Sequence, residues 1–144
     1  MFSSHPDALS LLQAINRSAE FNRWCGIEVV RAEPGIAEIA MPWRQEAGQY
    51  SGFLHAGLVA TLIDTACGYA AETVVGANVL AAHFSVNCIR PAVGTRFVAR
   101  ARVVKAGKLQ VFTSCELFAQ SGAQEKLVAT GETLLTVVKE NREA

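Results

Sequence analysis

Residues 52–71 read GFLHAGLVATLIDTACGYAA, and this stretch decides the fold. From Leu58 to Ala71 nearly every residue is apolar or small and none is proline, which predicts a helix buried on almost all sides. Asp64 lies in the middle of that helix and His55 lies at its start. A buried carboxylate is costly unless it is paired, hydrogen-bonded or protonated, so we interpret Asp64 as a functional residue.

Composition and charge narrow the class of protein. Thirteen basic and thirteen acidic residues give a formal net charge of zero, so we expect no binding to nucleic acid or to an anionic membrane. Apolar residues make up 51% of the 144 residues, which suits one domain with a large core or with a face buried against a second copy. We expect no membrane span, because the apolar run is short and is interrupted by Asp64 and Glu72.

The cysteines and the beginning of the chain indicate a compartment. Cys25, Cys67, Cys88 and Cys115 lie far apart, without a CxxC motif or a cluster with histidine. We expect them to be reduced and mostly buried, and we expect no metal site. The first residues of the sequence lack the basic and apolar regions of a signal peptide, so the expected location is the cytoplasm.

The rest of the chain predicts a single domain, residues 1–144, with an α+β fold in which an antiparallel sheet wraps around the long helix. Period-two alternation predicts the strands, and Pro34-Gly35 predicts a hairpin turn. The predicted elements are a helix over 7–22 capped by Ser4 or Asp7, a hairpin over 27–41, a loop over 42–53, the central helix over 56–75, a meander of strands over 79–89, 97–105, 109–119 and 126–138, and a charged tail over 139–144.

A short motif at the start of the central helix resembles a known family. The string His55-Ala56-Gly57, with Asp64 nine positions after the histidine, is similar to the HGG-and-acid signature of hotdog-fold acyl-CoA thioesterases of the PaaI-like, phenylacetate-pathway type. The resemblance extends from about residue 21 to residue 138. Further matching positions are Gln49, Arg90-Pro91-Ala92 and Lys105-Ala106-Gly107-Lys108.

The resemblance implies an enzyme that hydrolyses the thioester of an acyl- or aryl-acyl-coenzyme A to the free acid and CoA. Asp64 would act as general base or as nucleophile, Gln49 would contact the thioester, and His55 would shape the start of the helix. The amides near Ala56 and Gly57 would form the oxyanion hole. CoA is then part of the substrate, so we expect no cofactor.

The resemblance also assigns substrate-binding residues. Lys105, Lys108 and Arg90 match positions near the CoA phosphates, with Gly107 in the same turn, and His83 matches a position that contacts substrate. The chain departs from the family pattern on the strand that follows the central helix, where some relatives have a serine that orients water and this sequence has alanine at 81 and 82.

A second copy of the chain is needed to complete this site. Eight or nine residues along a helix span about 12–13 Å, and we expect the helix start and Asp64 to lie on opposite faces. The helix start of one copy must therefore meet Asp64 of another, and the resemblance implies the same composite site at a dimer interface. One curved sheet also covers a long apolar helix only in part. We expect a homodimer that assembles into a homotetramer.

Less specific interpretations stay open. Asp64 or His55 could be structural, His83 an ordinary sheet residue, and Lys105 and Lys108 plain turn lysines. The stripe of Arg96, Arg100 and Arg102 is more typical of a solvated strand face than of a ligand site.

The alternative function is a non-catalytic acyl-CoA-binding hotdog protein. A dehydratase or hydratase on the same fold is disfavoured, because the sequence lacks the corresponding motif. The acyl group itself is open between aromatic and medium aliphatic chains.

Overall fold

The computed structural model describes residues 7–138 as one antiparallel sheet with a long helix packed on one face. The helices are α1 (Ala8–Ser18), α2 (Glu20–Cys25) and α3 (Ala56–Val75), with a 3₁₀ turn at Gln45–Ala47. The strands are β1 (Glu28–Glu33), β2 (Ile36–Pro42), β3 (Val79–Cys88), β4 (Arg96–Ala106), β5 (Gln110–Ser121) and β6 (Gln124–Val137). The predicted cap Ser4 and the predicted tail over 139–144 lie outside the described residues.

Helix α3 covers the predicted range and contacts all six strands. It ends at Gly76, whose φ of 60° is a left-handed conformation that favours glycine. The sheet approaches α3 closely at Gly131, where an added Cβ would come within 2.6 Å of the Ile63 side chain. The α+β arrangement of a sheet around a long central helix is therefore confirmed. The buried side chains of α3 are those of Val59, Leu62, Ile63, Ala66, Cys67, Tyr69, Ala70 and Ala71.

The prediction that the apolar run is too short and too interrupted to span a membrane is wrong as an argument from length and composition. With 20 residues and a mean hydropathy of 1.3, α3 is long and apolar enough by length and composition to cross a membrane, even with Asp64 and Glu72. The core helix of a soluble protein passes the same test. The contacts of α3 with the sheet account for its apolar face within the fold.

The predicted helix over 7–22 is broken at Ala19, whose backbone is extended. Asp7 caps α1 as predicted, because its Oδ1 accepts from the Ser10 N–H at 2.7 Å. The break follows from tertiary contacts rather than from a local glycine or proline. The buried Asn16 side chain donates to the Ile27 carbonyl at 2.7 Å and accepts from the Tyr69 hydroxyl at 3.0 Å.

The four strands after α3 do not form the predicted meander. The sheet order is β1-β2-β4-β5-β6-β3, so β3 pairs with β6 at the edge and not with β4. The connection from β3 to β4 therefore crosses the sheet and passes the start of α3, where the Leu54 N–H donates to the Ala92 carbonyl at 3.0 Å. Alternation identifies the strands but carries no information on which strand pairs with which.

Candidate active site

His55 is the N-cap of α3 and fixes the start of the helix. Its Nδ1 accepts a hydrogen bond from the Gly57 N–H at 2.8 Å, which satisfies one of the amides that a helix start leaves without a partner. The backbone N–H of His55 donates to the Ala47 carbonyl at 3.0 Å, which ties the cap to the preceding loop. His55 thus has a structural task at the position where the resemblance places it.

One amide at this helix start remains available for a ligand. The Gly57 N–H is bonded to His55, and the N–H groups of Leu58 and Val59 donate to the His55 carbonyl at 2.8 and 3.1 Å. The Ala56 N–H has no acceptor within residues 7–138. The helix dipole favours negative charge at this point. The structure therefore leaves Ala56, rather than Gly57, as the candidate oxyanion donor.

Gln49 offers a second donor beside Ala56. Its side-chain carbonyl accepts from the Ser51 N–H and from the Phe53 N–H at 3.4 Å. Because both of these partners are donors, the oxygen must face them, and the side-chain NH₂ points elsewhere. That NH₂ group has no acceptor in the described part of the chain, so it is free to donate to a substrate.

A cleft of about 330 Å³ brings three assigned residues together. Gln49, Ala56 and Arg90 line it, and Arg90 comes from the connection between β3 and β4. The Ile89 N–H donates to the Val128 carbonyl at 2.9 Å, which places β6 in the cleft wall. Sequence reasoning missed Cys88, Ile89 and Val128 as wall residues, since their position depends on long-range strand pairing. The apolar part of the wall comprises Phe53, Leu54, Val59, Ile89, Pro91, Ala92 and Val128.

Asp64 does not lie on the opposite face of α3 from the helix start. Seven residues, from Gly57 to Asp64, make about two turns, and both residues belong to one stripe that is less buried than the rest of the helix. The expectation that Asp64 and the helix start lie on opposite faces is wrong, because it counted residues from the N-cap His55, which precedes the first helical residue. The separation along the axis remains: Asp64 is eight residues from Ala56, or about 12 Å.

The surroundings of Asp64 favour its protonated form more than water does. The side chain is half-buried, and no hydrogen-bond partner for it lies within the described residues. Burial raises the pKa of this carboxyl above its ordinary value. A raised pKa brings a carboxylate closer to the range in which a general base works well at neutral pH.

The assigned lysines lie at the other end of the sheet. Lys105, Gly107 and Lys108 line one pocket of about 690 Å³ at the turn between β4 and β5. The end of α3 lies near this edge, because the Gly35 N–H donates to Thr73 Oγ1 at 2.8 Å and the Gly35 carbonyl accepts from Val103. In one chain the lysines are therefore separated from Ala56 by most of the length of α3.

His83 is exposed on the face of the sheet that points away from α3. A bulge at Ala82 shifts the register, after which His83 lies opposite Leu134. His83 therefore stands apart from the cleft within one chain. Arg100, on the same outer face, forms ion pairs with Glu38 at 3.0 Å and with Glu125 at 2.6 Å, as expected for a solvated strand face.

The remaining polar clusters give no sign of a metal centre among residues 7–138, where no group of three or more His, Cys, Asp or Glu side chains could hold an ion. All four cysteines are free thiols, with Cys25, Cys67 and Cys115 buried and Cys88 exposed.

Comparison with known proteins agrees with this architecture. Residues 51–126 match the family model described as the thioesterase superfamily. The chain is 34% identical over 124 residues to human acyl-coenzyme A thioesterase 13, covering 84% of this chain and 87% of that protein. A thioesterase family protein from Silicibacter pomeroyi superposes with a TM-score of 0.87 and 33% identity over 92% of this chain and 98% of that one. The E. coli PaaI protein shares the fold, with a TM-score of 0.84, 22% identity and coverage of 92% and 94%. The chain therefore belongs to the thioesterase superfamily, and it has the hotdog fold.

Proposed function

We propose that this protein hydrolyses acyl-CoA thioesters to free acid and CoA, with the Ala56 amide as oxyanion donor. The observation that carries the proposal is the free Ala56 N–H at the start of a 20-residue helix, inside a cleft that also holds the Gln49 amide. The similarity to human acyl-coenzyme A thioesterase 13 supports CoA esters as the substrate class.

The chemistry needs a donor for the carbonyl oxygen and a group that delivers oxygen to the carbonyl carbon. As the carbon becomes tetrahedral, its oxygen gains negative charge, which the Ala56 N–H and the helix dipole stabilise. The Gln49 NH₂ holds the thioester beside them. In one route Asp64 takes a proton from the attacking water and passes it to the departing sulfur, which leaves as the thiol of CoA. In the other Asp64 attacks the carbonyl carbon and displaces the CoA thiolate, which takes a proton from water, and water then hydrolyses the acyl–aspartyl anhydride to the free acid.

The Asp64 that serves this cleft comes from a second copy of the chain. Within one chain Asp64 is about 12 Å along α3 from Ala56, which is too far for both groups to reach one carbonyl group. Strand β3 offers the surface for pairing: it is the edge of the sheet, and Leu80 and Phe84 on it are 65% and 46% exposed. A long apolar edge strand is normally paired or covered.

Antiparallel pairing of two β3 strands would bring opposite ends of the two chains together. Strand β3 begins beside the lysine turn, since Leu80 is opposite Thr136, which in turn is opposite Gln110. It ends at Cys88, in the cleft wall. A two-fold axis across the strand therefore runs the two α3 helices in opposite directions, so that the middle of the partner's helix, with Asp64, can approach the cleft of the first copy. The homodimer is part of this proposal, and the homotetramer and the cytoplasmic location stay predictions.

The test is a thiol-release screen with short, medium, long and aromatic acyl-CoAs, with calorimetric binding measured in parallel. We expect release of free CoA from at least one class. Saturable binding of acyl-CoA without release from any class would contradict the proposal and favour the non-catalytic binding protein. Asp64→Asn serves as the matched control, since the amide preserves the shape of the side chain.

A further inference from the structure

Helix α3 contains two acidic residues, and the proposed reaction uses only one of them, Asp64. The other is Glu72, whose Oε2 is buried and has no hydrogen-bond partner within residues 7–138. No cation in that part of the chain forms an ion pair with its carboxyl group. Burial alone raises the pKa of Glu72 above its ordinary value. A buried carboxyl group without a partner costs stability, which indicates a role outside the fold itself.

The spacing of α3 leaves free space between Asp64 and Glu72. Asp64, Gly68 and Glu72 follow one another at four-residue intervals along the less buried stripe of the helix. Among the described residues outside the helix backbone, the only atom within 4 Å of a Cβ added at Gly68 is Leu135 Cδ2, at 3.9 Å. Toward the helix start, in contrast, the side chain of Thr61 occupies the stripe and its hydroxyl donates to a backbone carbonyl at 2.9 Å. The open side of Asp64 is therefore the side of Glu72.

Strand β3 forms the other wall of this space. Phe84 is opposite Thr133, which is buried on the helix side of the sheet, so Phe84 points to that side as well. Phe84 is nevertheless 46% exposed, because α3 does not cover this edge of the sheet. Leu135, opposite Ala81, lies at the base between helix and strand. We call the space bounded by Asp64, Gly68 and Glu72 on α3 and by Ala81 and Phe84 on β3 the Asp64–Glu72 groove.

We propose that Glu72 selects acyl groups that carry a hydroxyl or amino group at their far end, and that its carboxyl group accepts a hydrogen bond from that donor. This inference rests on the proposed function, in which Asp64 meets the thioester. The acyl group then runs along the α3 helix of the copy that supplies Asp64. The two acids are about 12 Å apart along the helix axis, and a contact of about 3 Å at each carboxyl group leaves about 6 Å. That length fits a para-substituted benzoyl group or a short aliphatic chain with a terminal hydroxyl.

The apolar surroundings of Glu72 make such a hydrogen bond selective. Ala71 and Val75, which precede and follow Glu72 in α3, belong to an apolar cluster with Leu135 and Val79. A hydrogen bond to a carboxylate is stronger in a setting of low polarity than in water. An acyl group that ends in a methyl group would cover Glu72 and leave it unpaired, which costs binding free energy. A site built to hydrogen-bond a substrate group therefore rejects the analogue that lacks this group.

The experiment uses two pairs of CoA esters of matched size that differ in the terminal donor. We compare para-aminobenzoyl-CoA with para-methylbenzoyl-CoA, and ω-hydroxypentanoyl-CoA with hexanoyl-CoA. In wild type, kcat/KM should be about tenfold higher for the donor-bearing ester of at least one pair, and that pair tells whether the groove takes a ring or a chain. Glu72→Leu should abolish this preference. Glu72→Gln keeps a carbonyl oxygen as acceptor and should retain part of it.

A control variant and stability measurements separate selection of the acyl group from a structural role. Glu132→Gln removes one charge from the exposed outer face and should behave as wild type. Glu72→Leu should melt at or above the temperature of wild type, since it removes a buried carboxyl group without a partner, and native mass spectrometry should show the same oligomer. A loss of stability or of the oligomer in Glu72→Leu would overturn the inference, because it would show that the partner copy supplies the donor.

The kinetic outcomes that overturn the inference differ from those that overturn the proposed function. Equal kcat/KM within both pairs in wild type, or an unchanged preference in folded Glu72→Leu, would remove Glu72 from the selection of the acyl group. If the wild type releases no thiol from any ester, the proposed function fails. Calorimetric binding of the same four esters then decides the role of Glu72: tighter binding of a donor-bearing ester that Glu72→Leu abolishes supports it, and equal binding overturns it.

Discussion

The two ends of the sheet both carry residues that the family motif assigns, but they are built differently. The cleft end joins four separate segments of the chain through backbone hydrogen bonds: His55 to Ala47, Leu54 to Ala92, and Ile89 to Val128, each between 2.9 and 3.0 Å. The lysine end is a single hairpin turn, closed by the Gly107 N–H donating to the Gln110 carbonyl at 2.8 Å. The first arrangement fixes amide donors in position, whereas the second presents ammonium groups on long aliphatic side chains.

This difference indicates which end of the sheet suits catalysis and which end suits the electrostatic attraction of a phosphate group. A donor that must meet a developing oxyanion has to be held before the reaction begins, which requires support from several elements. A lysine that attracts phosphate acts as a point charge and tolerates a mobile setting. We therefore expect substitutions that touch the reacting atoms at the cleft end to lower kcat strongly, and substitutions of surface charge to act on KM.

The largest effect is expected from Asp64→Asn. The variant should lose about 10²–10⁴-fold in kcat, since it removes the proposed base or nucleophile. Burial raises the pKa of Asp64 in the folded protein, so its contribution to stability is fully present below the unfolded pKa and is lost as the pH rises through the folded value. The asparagine variant should therefore be at least as stable as wild type at neutral pH.

Thiol-release kinetics and thermal melts from pH 4 to pH 8 test both halves of that prediction. In wild type, kcat/KM should fall on acidification with a midpoint above the ordinary pKa of aspartate, about 3.9. A folded asparagine variant with wild-type kcat would remove Asp64 from the mechanism.

The second largest effect is expected from Ala56→Pro, which deletes the free amide hydrogen. Proline is well tolerated at the first position of a helix, and His55 already has φ −59° and ψ 134°, a conformation that suits a residue before proline. The fold should therefore survive while kcat falls about 10²–10³-fold. Ala56→Gly keeps the amide and is the matched control. If the proline variant folds and keeps its kcat, the oxyanion donor lies elsewhere.

How far the sequence predicts this molecule depends on the range of the interaction. Helix α3 was predicted over the range that the structure shows, since its signals are local: a run of small and apolar residues without proline, and Gly76 directly after it. The break at Ala19 and the pairing of β3 with β6 were missed, because tertiary hydrogen bonds and long-range register set them. At the cleft, the motif pointed to Ala56 and Gly57 alike, and only the Nδ1 contact of His55 shows which amide is free.

The third prediction tests whether two chains share a site. Ala56→Pro and Asp64→Ala are each expected to be inactive as homodimers. Refolded together, about half the molecules should be heterodimers, each with one site that has both defects and one that has neither. Activity should return to about a quarter of wild type, a fourfold deficit. Native mass spectrometry confirms that heterodimers form, and background activity in their presence would place the whole site within one chain.

The smallest effect is expected at His55 and concerns stability rather than turnover. His55→Ala removes the acceptor of the Gly57 N–H, which should lower the free energy of unfolding by about 1 kcal/mol, the usual cost of a lost N-cap. His55→Asn supplies another side-chain acceptor and should restore most of that stability. Because the role is structural, the asparagine variant should also keep kcat within a few-fold of wild type. Denaturant unfolding and thiol-release kinetics measure the two quantities separately. If the asparagine variant is as stable as wild type but loses about 10²-fold or more in kcat, then His55 transfers protons in the reaction and is more than a cap.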